Sequence, residues 1–117
     1  MKFTYTPFCI VAAAILGLTP MAQGQSSLRK ANKLYDNYEF ALAIPMYKEA
    51  ILKHKPDLQT AERLANAYRL TRQNNEAENW YAKVVAMEGR PPMNLYYYAE
   101  ALRSNGKYNE AKEQYMQ

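Results

Sequence analysis

With one cysteine and one histidine in its whole length, this chain lacks the parts for most side-chain chemistry. Cys9 lies in an apolar run near the start and His54 far downstream, so neither Cys/His catalysis nor the usual zinc ligand sets can be assembled. Glycine is scarce, and no glycine-rich phosphate loop occurs; Gly89 and Gly106 read as turn formers. Nor is the charge one-sided: 15 basic and 11 acidic side chains leave a net +4. The signs are interspersed, as in Lys48-Glu49 and in Glu110, Lys112 and Glu113, whereas a nucleic-acid binder carries a dense basic stripe. The carboxylate pairs Glu76/Glu78 and Glu110/Glu113 fall on expected exposed helix faces, with nothing to desolvate them. The chain is therefore expected to be no enzyme, to hold no cofactor or metal, and to bind no nucleic acid. His54 reads as a cationic group beside Lys53 and Lys55 at the negative end of a helix dipole.

Residues 1–24 read differently from the rest. Lys2 supplies a positive charge, Phe8 to Leu18 form a continuous apolar run, and Thr19-Pro20 then interrupts it before Ala22-Gln23-Gly24. This is the layout of a secretory signal peptide over residues 1–24, with cleavage between Gly24 and Gln25. The apolar run falls well short of the roughly 17–25 residues that span a bilayer. Cys9 does not stand at the cleavage point, where a lipid-anchor cysteine would lie. The mature chain, residues 25–117, would be a single small domain with no thiol. Only Lys2 among the charged side chains is lost with the leader, so the net charge falls by one.

What the chain has is a period. Ala43, Ala77 and Ala111 recur at a constant stride of 34, each with an alanine twelve positions before it (Ala31, Ala65, Ala99) and a tyrosine four after (Tyr47, Tyr81, Tyr115). A large apolar residue stands nine before each: Leu34, Tyr68 and Leu102. A period of 34 with small residues at fixed offsets identifies the chain as resembling the tetratricopeptide repeat, a stacked pair of antiparallel helices. The expected fold is all-α: a tetratricopeptide-repeat helical solenoid of about two and three-quarter repeats after the signal peptide. The alanines let the two helices of a repeat approach closely, and tyrosines and leucines fill the gap to the next repeat.

Repeat boundaries follow from local signals and fall near 27–56, 57–90 and 92–117. Ser27 is the expected N-cap of the first repeat, and Asp57 that of the second. The intra-repeat turns are expected at Asp36-Asn37-Tyr38, Gln73-Asn74-Asn75 and Asn105-Gly106-Lys107-Tyr108. Helix B of the first repeat is expected over about Glu39 to Lys53, kinked at Pro45, which cannot donate to the carbonyl of Ala41. Gly89 and Pro91-Pro92 are expected to stop helix B of the second. The third repeat lacks its last turn and a polar capping helix, which suggests a longer protein or a partner that finishes the core.

Three segments carry a narrower resemblance: LRKANKLYDNYEFALAIPMYKEAILK (28–53), AERLANAYRL (61–70) and LYYYAEALRSNGKYNEAKEQY (95–115). They resemble the N-terminal repeat region of certain OmpA-family proteins, in which a signal peptide leads into tetratricopeptide repeats, a β-propeller, a small β-sandwich and a peptidoglycan-binding domain. Members work in the periplasm at the outer membrane, some in type IX secretion. The resemblance spans nearly all of residues 28–117. This chain has neither propeller nor OmpA-type domain, so peptidoglycan binding does not carry over. It implies a periplasmic protein–protein interaction scaffold of a cell-envelope or secretion complex. The expected partners are other envelope proteins, extended peptide segments, or C-terminal domains missing from this chain.

In a tetratricopeptide fold the A helices line the concave groove. By alignment the groove residues are Arg29, Asn32 and Tyr35 of the first repeat, Arg63, Asn66 and Arg69 of the second, and Tyr96, Tyr97 and Arg103 of the third. An arginine–asparagine ladder is suited to gripping peptide backbone or carboxylates, with Tyr96 and Tyr97 as platforms. Leu28 and Arg63 depart from the carboxylate clamp of chaperone-binding repeats. The alternative reading is a glycan-binding component of an outer-membrane nutrient importer. Such a protein should carry a lipid-anchor cysteine and a sugar-stacking aromatic pair in an inserted loop, neither of which occurs here.

Overall fold

The computed structural model describes residues 20–117, with side-chain burial from Gly24 onward. Lys2, Cys9 and the apolar run of the expected signal peptide lie outside the described residues. Six α-helices and no strand make up the described part. They are α1 (Pro20–Asp36), α2 (Phe40–Ile51), α3 (Leu58–Leu70), α4 (Asn74–Val85), α5 (Met93–Ser104) and α6 (Tyr108–Tyr115). None is long and apolar enough to cross a membrane.

The first helix starts earlier than its sequence signals indicate. Ser27 is a buried residue inside α1, not its N-cap, because nothing between Pro20 and Ser27 stops a helix. Proline is tolerated at the first helical position, where no N–H donor is needed. The expected cleavage point between Gly24 and Gln25 thus falls within α1. Gly24 packs so closely that a Cβ there would stand 2.9 Å from Lys53 Cβ and 3.0 Å from His54 Cδ2.

Each helix packs chiefly on its neighbours in sequence. Contacts between α1 and α2 run in opposite directions along the two helices. The Tyr35 and Phe40 rings meet at 5.2 Å, Asn32 meets Tyr47, and Gly24 meets Lys53. The pair is therefore antiparallel, as its short connection over 37–39 requires. Close approach comes from the alanines: Ala31, Ala43, Ala65, Ala77, Ala99 and Ala111 are all buried. Tyr47, Tyr81, Leu64, Leu102 and Val84 are the largest fully buried side chains around them.

The same turn closes α1, α3 and α5. Tyr38 N–H donates to the Tyr35 carbonyl and Glu39 N–H to that of Leu34; Arg72 and Gln73 repeat this on Arg69 and Tyr68, and Gly106 and Lys107 on Arg103 and Leu102. These paired bonds define the Schellman motif, whose first residue past the cap must be left-handed. Tyr38 (φ 63°), Arg72 (φ 60°) and Gly106 (φ 79°) hold that position. Only Gly106 is suited to it by chemistry. Asn74 and Asn75, expected in the second turn, instead open α4, because the left-handed residue is Arg72.

Other boundaries follow from side chains. Asp57 caps α3, its Oδ1 accepting from Thr60 N–H at 2.8 Å. Helix α4 ends at Val85, short of Gly89, where Arg90 Nε donates to the Val85 carbonyl at 2.8 Å. Pro45 lies exposed within α2, which continues through it from Phe40 to Ile51.

Candidate functional site

The residues expected to face a ligand lie on α1, α3 and α5, and most already have partners within the chain. Three tyrosines organise them. Tyr47 donates from α2 to Asn32 Oδ1 at 2.7 Å, Tyr81 donates from α4 to Asn66 Oδ1, and Tyr115 donates from α6 to a Glu100 carboxylate oxygen. Each donor stands 15 positions after its acceptor, and the three pairs follow one another at the repeat period. Asn32 and Asn66 therefore act first as acceptors for tyrosines of the paired helix. Glu100 takes the third acceptor place, which counting one full period on from Asn66 would have found.

Arginines complete this network. Arg63 Nη1 lies 3.2 Å from Asn32 Oδ1 and 3.2 Å from Asp36 Oδ1, with its guanidinium carbon 4.9 Å from the centre of the Tyr35 ring. Asn66 Nδ2 donates to the Tyr35 hydroxyl at 3.2 Å. Arg69 Nε donates to the Tyr81 hydroxyl at 3.0 Å, and its guanidinium carbon lies 4.0 Å from the centre of the Tyr97 ring. The two cation–π pairs occupy equivalent places with the residue types exchanged: tyrosine then arginine at 35 and 63, arginine then tyrosine at 69 and 97. Such stacking contributes about 0.5–2 kcal/mol according to its exposure.

Burial and charge set the ionisation of these groups. Desolvation pushes the Tyr47 and Tyr81 hydroxyls up to about 12, against the opposing effect of hydrogen bonds from Arg63 and Arg69. Both stay neutral donors at ordinary pH. Glu100 sits below the usual carboxylate range because Arg103 and Tyr115 hydrogen-bond its charged form. Arg103 Nη2 reaches Glu100 Oε2 at 2.7 Å.

Of the nine expected residues, Asn32, Tyr35, Arg63, Asn66, Arg69 and Tyr97 are half-buried in this internal network. Arg29, Tyr96 and Arg103 are exposed, and Tyr96 keeps 49% of its surface in solvent. Tyr96 stacks edgewise on Tyr97 with ring centres 5.9 Å apart, and at the same distance from Tyr115. Arg69, Tyr96 and Tyr97 share one open cavity of about 310 Å³, whose lining also includes Glu100 and Asn74. The arrangement offers an aromatic surface edged by guanidinium and carboxylate groups. No metal-holding group of His, Cys, Asp or Glu occurs among the described residues.

Two further polar links join α3 to α5 and α4 to the turn before α6. Asn94, buried at the start of α5, donates through Nδ2 to Glu62 Oε2 at 2.5 Å. Glu78 accepts from Lys107 Nζ at 2.7 Å and from Asn105 Nδ2 at 3.0 Å. Burial pulls the Glu78 carboxyl upward, but these hydrogen bonds outweigh it and hold it below the usual range. A second cavity, of about 300 Å³, lies between the start of α1 and the connection from α2 to α3. His54 lines it, and its Nε2 is buried with no hydrogen-bond partner among the described residues.

No family model matches the chain. A search of curated proteins finds no match either.

Proposed function

We propose that this chain is a tetratricopeptide-type helical solenoid that binds protein partners or extended peptide segments through the α1, α3 and α5 face, as a scaffold of a periplasmic envelope or secretion complex. The recurrence of one hydrogen bond, tyrosine to the residue 15 before it, in all three helix pairs supports the repeat reading. The Schellman turns at matching positions add to it. The observation that carries the binding reading is the stripe running from Tyr35 and Arg63 through Arg69 and Tyr97 to Tyr96. Its inner members are fixed by internal bonds, so they present a pre-ordered surface, and ordering costs are correspondingly small on binding.

The exposed members are the ones to change. Arg63 and Arg69 hold the fold together through polar bonds, whereas Arg29 reaches solvent and the exposed Tyr96 is held only by ring contacts with Tyr97 and Tyr115. Arg29→Glu with Tyr96→Ser should abolish crosslinking to an envelope protein while leaving helicity intact. Undiminished capture by the double variant would show that this face is idle. Recovery of polysaccharide in place of protein would favour the glycan-binding alternative.

A further inference from the structure

Tyr68, Trp80 and Pro45 each differ from their counterparts one period away, and all three line one cavity. At positions 34 and 102 the residue is leucine, but at 68 it is tyrosine. At 46 and 114 stand methionine and glutamine, but at 80 the chain's single tryptophan. At 79 and 113 stand asparagine and glutamate, but at 45 a proline that sits against the helical rule. Tyr68, Trp80 and Pro45 come together around a space of about 440 Å³ between α2 and α4.

The cavity has a definite chemistry. Ile51 and Leu52 extend its apolar wall. Tyr68 is 3% exposed, and its backbone carbonyl accepts from the Thr71 hydroxyl and the Gln73 N–H. Its own hydroxyl has no hydrogen-bond partner among the described residues, and leucine fills the same packing place at 34 and 102. His54 Nε2 is the one buried polar side-chain atom without a partner among the described residues, so the Tyr68 hydroxyl reaches solvent, where a ligand can meet it. Lys48, Glu49 and Glu76 also line the space, one cation against two carboxylates, and none of them forms an ion pair among the described residues. Burial, and then the nearby Glu76 carboxylate, keep the Tyr68 hydroxyl protonated. Trp80 already holds a cation: the Lys83 ammonium, not itself a lining group, lies 4.1 Å from the ring centre.

We propose that the α2–α4 cavity binds a small organic amine, an apolar body of aromatic or branched aliphatic kind with one ammonium head. The body would lie against Pro45, Leu52 and Trp80, and the head would donate to the Tyr68 hydroxyl oxygen and meet the Glu76 carboxylate. Volumes of this order suit ligands of that size. The proposal does not rest on the α1, α3 and α5 face, which shares none of these residues.

Because Trp80 is the only tryptophan, its fluorescence reports occupancy directly. The full chain is titrated with phenethylamine and, in parallel, with phenethyl alcohol and phenylacetate, which keep the body and change the head. The amine should give a saturable change and bind about tenfold or more tighter than the other two. Tyr68→Phe and Glu76→Gln should each weaken it by about fivefold, the loss of one hydrogen bond or charge contact. Tyr68→Leu, which installs the residue of positions 34 and 102, should weaken it equally, and far-UV circular dichroism checks that every variant is folded. A response that does not saturate, an amine no tighter than the alcohol or the anion, or undiminished affinity in any of the three variants would overturn the proposal.

Discussion

Arg69 holds Tyr97 by its face, guanidinium carbon 4.0 Å from the ring centre, and one repeat earlier the same place is filled by Tyr35 beneath Arg63. One cation and one aromatic ring serve at each junction, and the order in which the chain supplies them does not matter to the stack. An arginine facing an arginine, or two rings with no cation, would lose it.

That exchange can be measured. Arg69→Tyr and Tyr97→Arg should each destabilise the fold, and the double exchange should recover part of the loss. A double-mutant cycle by urea unfolding is expected to give a coupling of about 0.5–2 kcal/mol. Recovery will be incomplete because Arg69 Nε also serves the Tyr81 hydroxyl. Strictly additive losses would mean that the stacking contributes nothing.

The turns offer a gain in stability. Arg72 holds a left-handed conformation at φ 60° that Gly106 holds without strain at φ 79°. Arg72→Gly should therefore stabilise the protein by about 0.5–1 kcal/mol, and Gly106→Ala should cost at least as much. Thermal unfolding of both variants checks the sign.

Removing one hydroxyl from the core should be costly in proportion to its burial. Tyr81→Phe takes the fully buried Tyr81 hydroxyl away from the half-buried Asn66 Oδ1 and Arg69 Nε, at a cost of about 0.5–1.5 kcal/mol. Tyr115→Phe removes the equivalent bond from an exposed ring and should cost less. Equal losses would contradict the role given to burial.

Tyr47 and Tyr81 set the alkaline limit of stability. Their folded values, about 12, lie above the ordinary value of 10, so the neutral form is the one the fold favours. Their contribution is complete below pH 10 and is lost as pH rises through about 12. Tyrosinate absorbance should show these two groups ionising late, together with the loss of helicity. In Tyr81→Phe the alkaline limb should become shallower.

Acid acts on the opposite kind of group. Glu78 sits below its ordinary value of 4.5 in the fold, so its contribution is present above that pH and falls away as pH drops through the lowered value. Glu78→Gln should flatten the acid limb of a stability profile and weaken the tie between α4 and Lys107. An unchanged acid limb would show that the Lys107 contact carries no stability.

The constant stride, the helical class and the buried alanines were legible in the sequence, because a small residue at a fixed offset has one use between close helices. Ala31, Ala65 and Ala99 fall where their spacing placed them. The Asp57 cap was equally legible, since its effect is local. What tertiary structure alone decided lies between helices. Asn32 and Asn66 have the side chains of ligand-gripping residues, yet a tyrosine 15 positions later claims each of them. Arg72 rather than an asparagine takes the left-handed turn, because the hydrogen-bonded closure of the helix end fixes the position whatever stands there. Periodicity reports which face of a helix is apolar. Which polar group meets which depends on distances that arise only when two helices, each already formed, come to rest against one another.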